Sequence, residues 1–119
     1  MIQRIYIDTS VVGGFFDEEF DLETKILFDK VFRFEIKLIV SDLLETELIG
    51  APEEIVEFYQ SLPDTQLERV TLTSEAIELA EKYIQEGVVG NTSRTDCRHI
   101  ALATLVKADV LVSWNFKSR

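Results

Sequence analysis

A single cysteine, Cys97, rules out an internal disulfide framework, and with one histidine, His99, there is no Cys/His set for a structural zinc. Two prolines and five glycines in 119 residues are too few for a linker-rich or low-complexity chain. No apolar run approaches the ~20 residues of a membrane span. Arg4, Asp8 and Asp17 interrupt every candidate leader near the N-terminus. The expected setting is a reducing cytoplasm with no membrane attachment. Basic residues are scarce: 12 Lys and Arg stand against 22 Asp and Glu, a formal net charge of −10. Indiscriminate nucleic-acid binding wants a basic surface, so this balance argues against it. It leaves open a nucleic-acid enzyme, because carboxylates gathered around a divalent cation raise the negative count while serving chemistry. It also suits a basic partner.

What is present is core material for one domain over 1–119: 46% of the residues are hydrophobic. Four short β-type runs are expected at 4–7, 37–40, 67–72 and 110–113. Between them lie helical patterns at 21–34 (with Leu22, Ile26, Leu27 and Val31 at helical spacing), 41–49, 52–62, 74–87 and 95–107. The segment 87–93 reads as a loop. Strands alternating with helices predict an α/β fold, a three-layer α/β/α sandwich around a central parallel sheet. In such sheets ligands sit beyond the carboxyl ends of the strands. Asp8, Ser41 and Asn115 fall at three such ends.

Asp8 follows the apolar run Ile5–Tyr6–Ile7 and precedes Thr9 and Ser10. It reads either as a helix or turn cap or as a site carboxylate; a charge beside an apolar strand end is costly unless paired, hydrogen-bonded or metal-bound. The stretch SDLLETELIGAP offers Asp42, Glu45 and Glu47. Asp42 and Glu45 have the spacing of a capping box, which leaves Glu47 without a local task; the helical wheel alone does not choose between Glu45 and Glu47. In NTSRTDCRHIALATLVKAD, Asp96 opens a helix three residues after Ser93, the spacing of an ordinary cap. Around it Arg94, Arg98 and His99 form a basic cluster that can meet a phosphate or pair with neighbouring acids. In ADVLVSWNFK, Ser113 and the neutral oxygen donor Asn115 follow the last strand, Trp114 and Phe116 are expected to pack, and Lys117 adds a cation. Acids so far apart in sequence share a purpose if they meet around a hard divalent cation, Mg²⁺ or Mn²⁺. No Gly-rich phosphate loop, Ser–His–Asp set or glycosidase acid pair competes. A receiver-type phosphoacceptor would want an acid pair after the first strand and a late strand-end lysine, and neither is convincing here.

The pieces YIDTSVVGG, ETELIGAP, TDCRHIALA and LVSWNFK, in that order and spacing, resemble the PIN domain family, particularly VapC-type toxin ribonucleases. The resemblance implies an α/β/α sandwich and a divalent-metal site. Asp8 matches the first family acid, Glu47 the second (over Glu45) and Asp96 the third; Asn115 falls where many members carry a fourth acid. Thr9, Ser10 and Ser113 match supporting hydroxyls, and His99 a frequent packing or supporting histidine. Arg94, Arg98 and Lys117 are the expected RNA contacts. The implied activity is a Mg²⁺- or Mn²⁺-dependent endoribonuclease acting as the toxin of a toxin–antitoxin pair, with RNA as substrate, an antitoxin protein as partner, and a homodimer. Two departures stand out: members continue past SWNFK with further residues, so the sheet is expected to lack its C-terminal strand, and the neutral Asn115 weakens a second cation position. They favour an alternative, a catalytically weak PIN-like module that binds RNA or a protein partner.

Overall fold

The computed structural model describes residues 2–87, 90 and 92–115. Its elements run β1 (Gln3–Ile7), α1 (Thr9–Gly14), α2 (Asp21–Phe32), β2 (Ile36–Ser41), α3 (Asp42–Leu48), α4 (Glu53–Gln60), a 3₁₀ turn (Asp64–Gln66), β3 (Leu67–Val70), α5 (Ser74–Gln85), α6 (Arg94–Leu105) and β4 (Val110–Val112). The four strands form one parallel sheet in the order β3-β2-β1-β4. The period-2 alternation of side chains explains why these runs are apolar throughout. Ile5, Ile7, Leu38 and Val40 face one way, into a core with Val11, Val12, Phe28, Val31 and Leu44. Tyr6 and Ile39 face the other way, against Ala76, Ala80, Cys97 and Ala101. These small residues are what lets α5 and α6 lie close together over the sheet. The expected three-layer arrangement is thus present.

Three local readings need correction. A helix over 9–14 is absent from the helical patterns read in the sequence; it forms because Val11 and Val12 bury completely against the first core. In α2 half of the anticipated stripe faces out: Leu22 and Ile26 are 67% and 55% exposed, while Val31 is buried and Leu27 packs on the first core, beside the buried Thr24 and Phe28. Spacing marks a helix but not which of two overlapping faces its neighbours cover. The Asp42–Glu45 capping box does not form. Ser41 is the cap, accepting from Leu44 N at 3.0 Å; Asp42 instead accepts from Leu72 N at 2.9 Å, and Glu45 accepts from the Tyr59 hydroxyl at 2.9 Å.

Two helix ends use left-handed residues that are not glycine. Phe34 (φ 63°) and Lys107 (φ 56°) follow α2 and α6. In each case paired backbone bonds close the end: Glu35 N to Lys30 O with Phe34 N to Val31 O, and Ala108 N to Ala103 O with Lys107 N to Thr104 O. At the amino edge of the sheet, Arg4 grips Glu68 at 2.9 and 2.7 Å and also donates to the carbonyls of Lys107 and Val106 that end α6. Among the described residues no helix is long and apolar enough to cross a membrane.

Candidate functional site

The carboxyl end of β1 delivers Asp8 into the sheet's crevice, where it is only 1% exposed. It occupies the cap position of α1, yet its side chain makes no capping bond. Its carboxylate is used elsewhere. Ser10 Oγ donates to Oδ1 at 2.6 Å, Ser113 Oγ donates to Oδ2, and Asn115 Nδ2 donates to Oδ2 at 3.4 Å. The Asp8 side chain therefore does not act as a helix cap. All three donors are neutral, and among the described residues no cation pairs with it. Three hydrogen bonds thus compensate the burial of this carboxylate in part, and no cationic side chain among the described residues adds to them.

Asp96 joins through the same amide. Ser93 caps α6 by accepting from Asp96 N at 3.1 Å, and the Asp96 side chain is left to accept from Asn115 Nδ2 at 3.1 Å. Asn115 therefore bridges Asp8 and Asp96 with its amide hydrogens. Its position is fixed by the turn after β4, where Asn115 N donates to Ser113 Oγ at 3.1 Å and Trp114 N donates to Ser10 Oγ at 3.0 Å.

Glu47 reaches the crevice from α3. Thr9 Oγ1 donates to its Oε1 at 2.7 Å, and His99 Nε2 lies 3.1 Å from the same oxygen. His99 is 2% exposed, and its Nδ1 stands 2.7 Å from the hydroxyl of Tyr6, which is wholly buried. Burial holds the Tyr6 phenol well above its ordinary pKa, so it stays a hydroxyl that can donate or accept. The Glu47 carboxylate only accepts, so Nε2–H donates to it, and Nδ1 of the neutral imidazole then accepts from the Tyr6 hydroxyl. Sequence reading matched His99 to a packing or supporting role but did not see Tyr6. The partners are 93 residues apart, and the only sequence signal is a phenol on the α5–α6 face of β1, where β2 presents an isoleucine.

The bonds above make two sets at the carboxyl end of the sheet: Asp8, Ser10, Ser113, Asn115 and Asp96 in one, and Thr9, Glu47 and His99 in the other. Arg94 is turned away to pair with Glu81 on α5. Arg98 keeps a buried Nε with no hydrogen-bond partner among the described residues. Lys117 lies outside the described residues, as does Phe116. Apart from His99, which faces Glu47, and the Asn115 amide, the groups are carboxylates and hydroxyls, which is the donor chemistry of a hard divalent cation. The arrangement is not a closed chelate: among the described residues no three His, Cys, Asp or Glu side chains converge on one ion position. Glu47 is engaged by Thr9 and His99, while Asp8 and Asp96 are joined through Asn115. The donor set fits a cation, and these carboxylates would exchange hydroxyl and amide partners to hold it.

No protein-family profile matches the chain, and no curated protein matches it in sequence. Solved structures do. The VapC20 toxin of Mycobacterium tuberculosis, described as cleaving the sarcin–ricin loop, superposes with a TM-score of 0.69 at 12% identity, over 92% of this chain and 88% of that one. VapBC2 of Rickettsia felis, bound to a DNA fragment from its promoter, matches with a TM-score of 0.60 at 13% identity, over 94% of this chain and 99% of the other. The chain has the fold of VapC-type toxins, the PIN-like fold that the motifs implied.

Proposed function

We propose that this chain is a PIN-domain endoribonuclease of the VapC toxin kind, dependent on Mg²⁺ or Mn²⁺, with Asp8, Glu47 and Asp96 as the cation-holding carboxylates and Asn115 assisting. The observation that carries the reading is Asp8: a nearly fully buried carboxylate, not a cap, supplied only with neutral donors. A bound divalent cation neutralises such a charge, activates water and stabilises the oxygens of an in-line phosphodiester displacement. The chain's own residues prepare that chemistry. Ser10 and Ser113 hold the two Asp8 oxygens, Asn115 spaces Asp8 from Asp96, and Thr9 with the Tyr6–His99 pair orients Glu47. Of the three basic residues expected to meet RNA, Arg94 is paired with Glu81, and Arg98 has its Nε buried.

The toxin part of the reading draws support from the two structural relatives, one described as a toxin that cleaves the sarcin–ricin loop and one solved as VapBC2 on a fragment of its promoter. An antitoxin chain is the proposed partner and a homodimer the proposed assembly. The exposed apolar side chains Leu22, Ile26 and Phe32, which line one groove on α2, are surface of the kind partner chains cover. A reducing cytoplasm suits the free, buried Cys97. The test is cleavage of single-stranded RNA with added Mn²⁺: the wild type cleaves and Asp8→Asn does not. Equal cleavage by both sinks the role given to Asp8.

One observation favours the second reading, a catalytically weak module that binds RNA or a protein. The amide nitrogen of Asn115, not a carboxylate, occupies the space between Asp8 and Asp96. Under that reading RNA binds without turnover at any Mn²⁺ concentration.

A further inference from the structure

We infer that Trp114 is a positioning residue: its indole, docked between α1 and α2, holds Ser113 and Asn115 in register on Asp8 and Asp96. β4 ends at Val112, paired with Ile7, so the three residues that follow have no strand partner to hold them. Ser113 and Asn115 point into the site, and Trp114 points the opposite way. Its ring lies parallel on Phe20, with centroids 5.2 Å apart and planes 2° from parallel. Its Nε1–H donates to Thr24 Oγ1 at 3.1 Å, and the fully buried Thr24 hydroxyl donates onward to Phe20 O at 2.6 Å. Gly14 makes the room: a Cβ there would come within 2.7 Å of the indole Cδ1 and 2.8 Å of Thr24 Oγ1. The absence of a side chain at Gly14 and a polar threonine buried in α2 both find their reason in this one ring.

The consequence is a mechanical link from the start of α2 to the candidate site. Sliding of the indole moves the backbone between Ser113 and Asn115, and with it the hydroxyl on Asp8 Oδ2 and the amide that bridges Asp8 and Asp96. The inference rests on the cation-dependent reading for its effect on metal affinity. The placement of Asn115 is testable without it.

The experiment uses the full chain with Thr24→Val, which removes the acceptor, and Thr24→Ser, which keeps it; Trp114→Phe, which keeps a stacking ring without the N–H, is the second variant should Thr24→Val not fold. Two readouts are taken: Mn²⁺ affinity by calorimetry at 25 °C, and the side-chain amide resonances of Asn115 by NMR without metal. Loss of the Trp114–Thr24 hydrogen bond predicts Mn²⁺ binding weaker by about three- to tenfold in Trp114→Phe and in Thr24→Val, the latter also losing the bond to Phe20 O. The same loss moves the Asn115 amide resonances towards those of a free side chain. Thr24→Ser restores both. In a Ser113→Ala/Asn115→Ala background Thr24→Val has no further effect on Mn²⁺, because the route from the ring to the cation has been removed. A merely structural role would lower thermal stability and leave both readouts unmoved. Asn115 resonances unchanged in Thr24→Val and Trp114→Phe overturn the inference, as does an equal loss of Mn²⁺ affinity in the doubly substituted background. If the wild type takes up no Mn²⁺, the cation reading falls and the Asn115 resonances alone decide the positioning role.

Discussion

Tyr6→Phe probes the link between the core and Glu47. The change keeps the ring, so it opens no cavity and leaves the packing against Ala101 and Ile39 intact. It deletes only the hydroxyl that donates to His99 Nδ1 at 2.7 Å. Because His99 is 2% exposed, water cannot replace that donor. A buried acceptor left unpaired costs about 1–3 kcal/mol. At about 4 °C per kcal/mol for a chain of this size, Tm falls by about 4–12 °C. The chain has one histidine, so nitrogen NMR reports this imidazole without ambiguity. The wild type shows Nε2 protonated and Nδ1 as a hydrogen-bonded acceptor. Tyr6→Phe keeps Nε2–H, because Glu47 still accepts from it, and moves Nδ1 towards the resonance of an acceptor with no donor. Urea unfolding supplies the stability change. A wild-type spectrum with Nδ1 protonated, or a stability loss below about 0.5 kcal/mol, refutes the phenol–imidazole–carboxylate chain, since the expected loss is at least about twice that.

The exposure of α2 predicts that Ile26→Lys leaves stability within about 0.5 kcal/mol of wild type by urea unfolding, whereas a core position would lose about 2 kcal/mol or more. Phe34, exposed and left-handed, predicts that Phe34→Gly raises stability by about 0.5–1 kcal/mol in the same assay. The Arg4 guanidinium holds the Glu68 carboxylate below its ordinary pKa, so the pair's stabilisation is present above that ordinary value and is lost as pH falls through the depressed one. Stability followed downward from pH 4.5 should therefore fall less steeply in Glu68→Gln than in wild type; equal slopes would contradict the pairing.

Much of this was legible in the sequence because it is local. The apolar runs at β1 and β2 are pinned by burial on both faces, Ser93 caps α6 at the spacing it advertised, and Asp8, Asp96 and Asn115 stand at element ends where parallel sheets expose side chains. The motif resemblance chose Glu47 over Glu45, and the geometry separates their tasks: Glu45 serves Tyr59 and Arg69, Glu47 faces Thr9 and His99. The unread parts depend on contacts between distant segments. Six residues ending in Gly-Gly carry no helical signal until Val11 and Val12 find a core to enter. Thr24 looks like a surface residue until Trp114, 90 positions later, needs its hydroxyl. The wheel of α2 offered an apolar face at Leu22, Ile26, Leu27 and Val31, yet Phe28 enters the interior in place of Leu22 and Ile26 because Phe15 and Phe58 pack rings against it there.

The central claim is that the buried Asp8 charge awaits a divalent cation. Calorimetric titration of Mn²⁺ into the wild type and into Asp8→Asn at neutral pH tests it most directly, since the substitution keeps the side chain's shape and removes its charge. The account predicts saturable uptake by the wild type and none, or uptake weakened by at least about tenfold, by Asp8→Asn. No uptake by the wild type, or equal uptake by both, would contradict it.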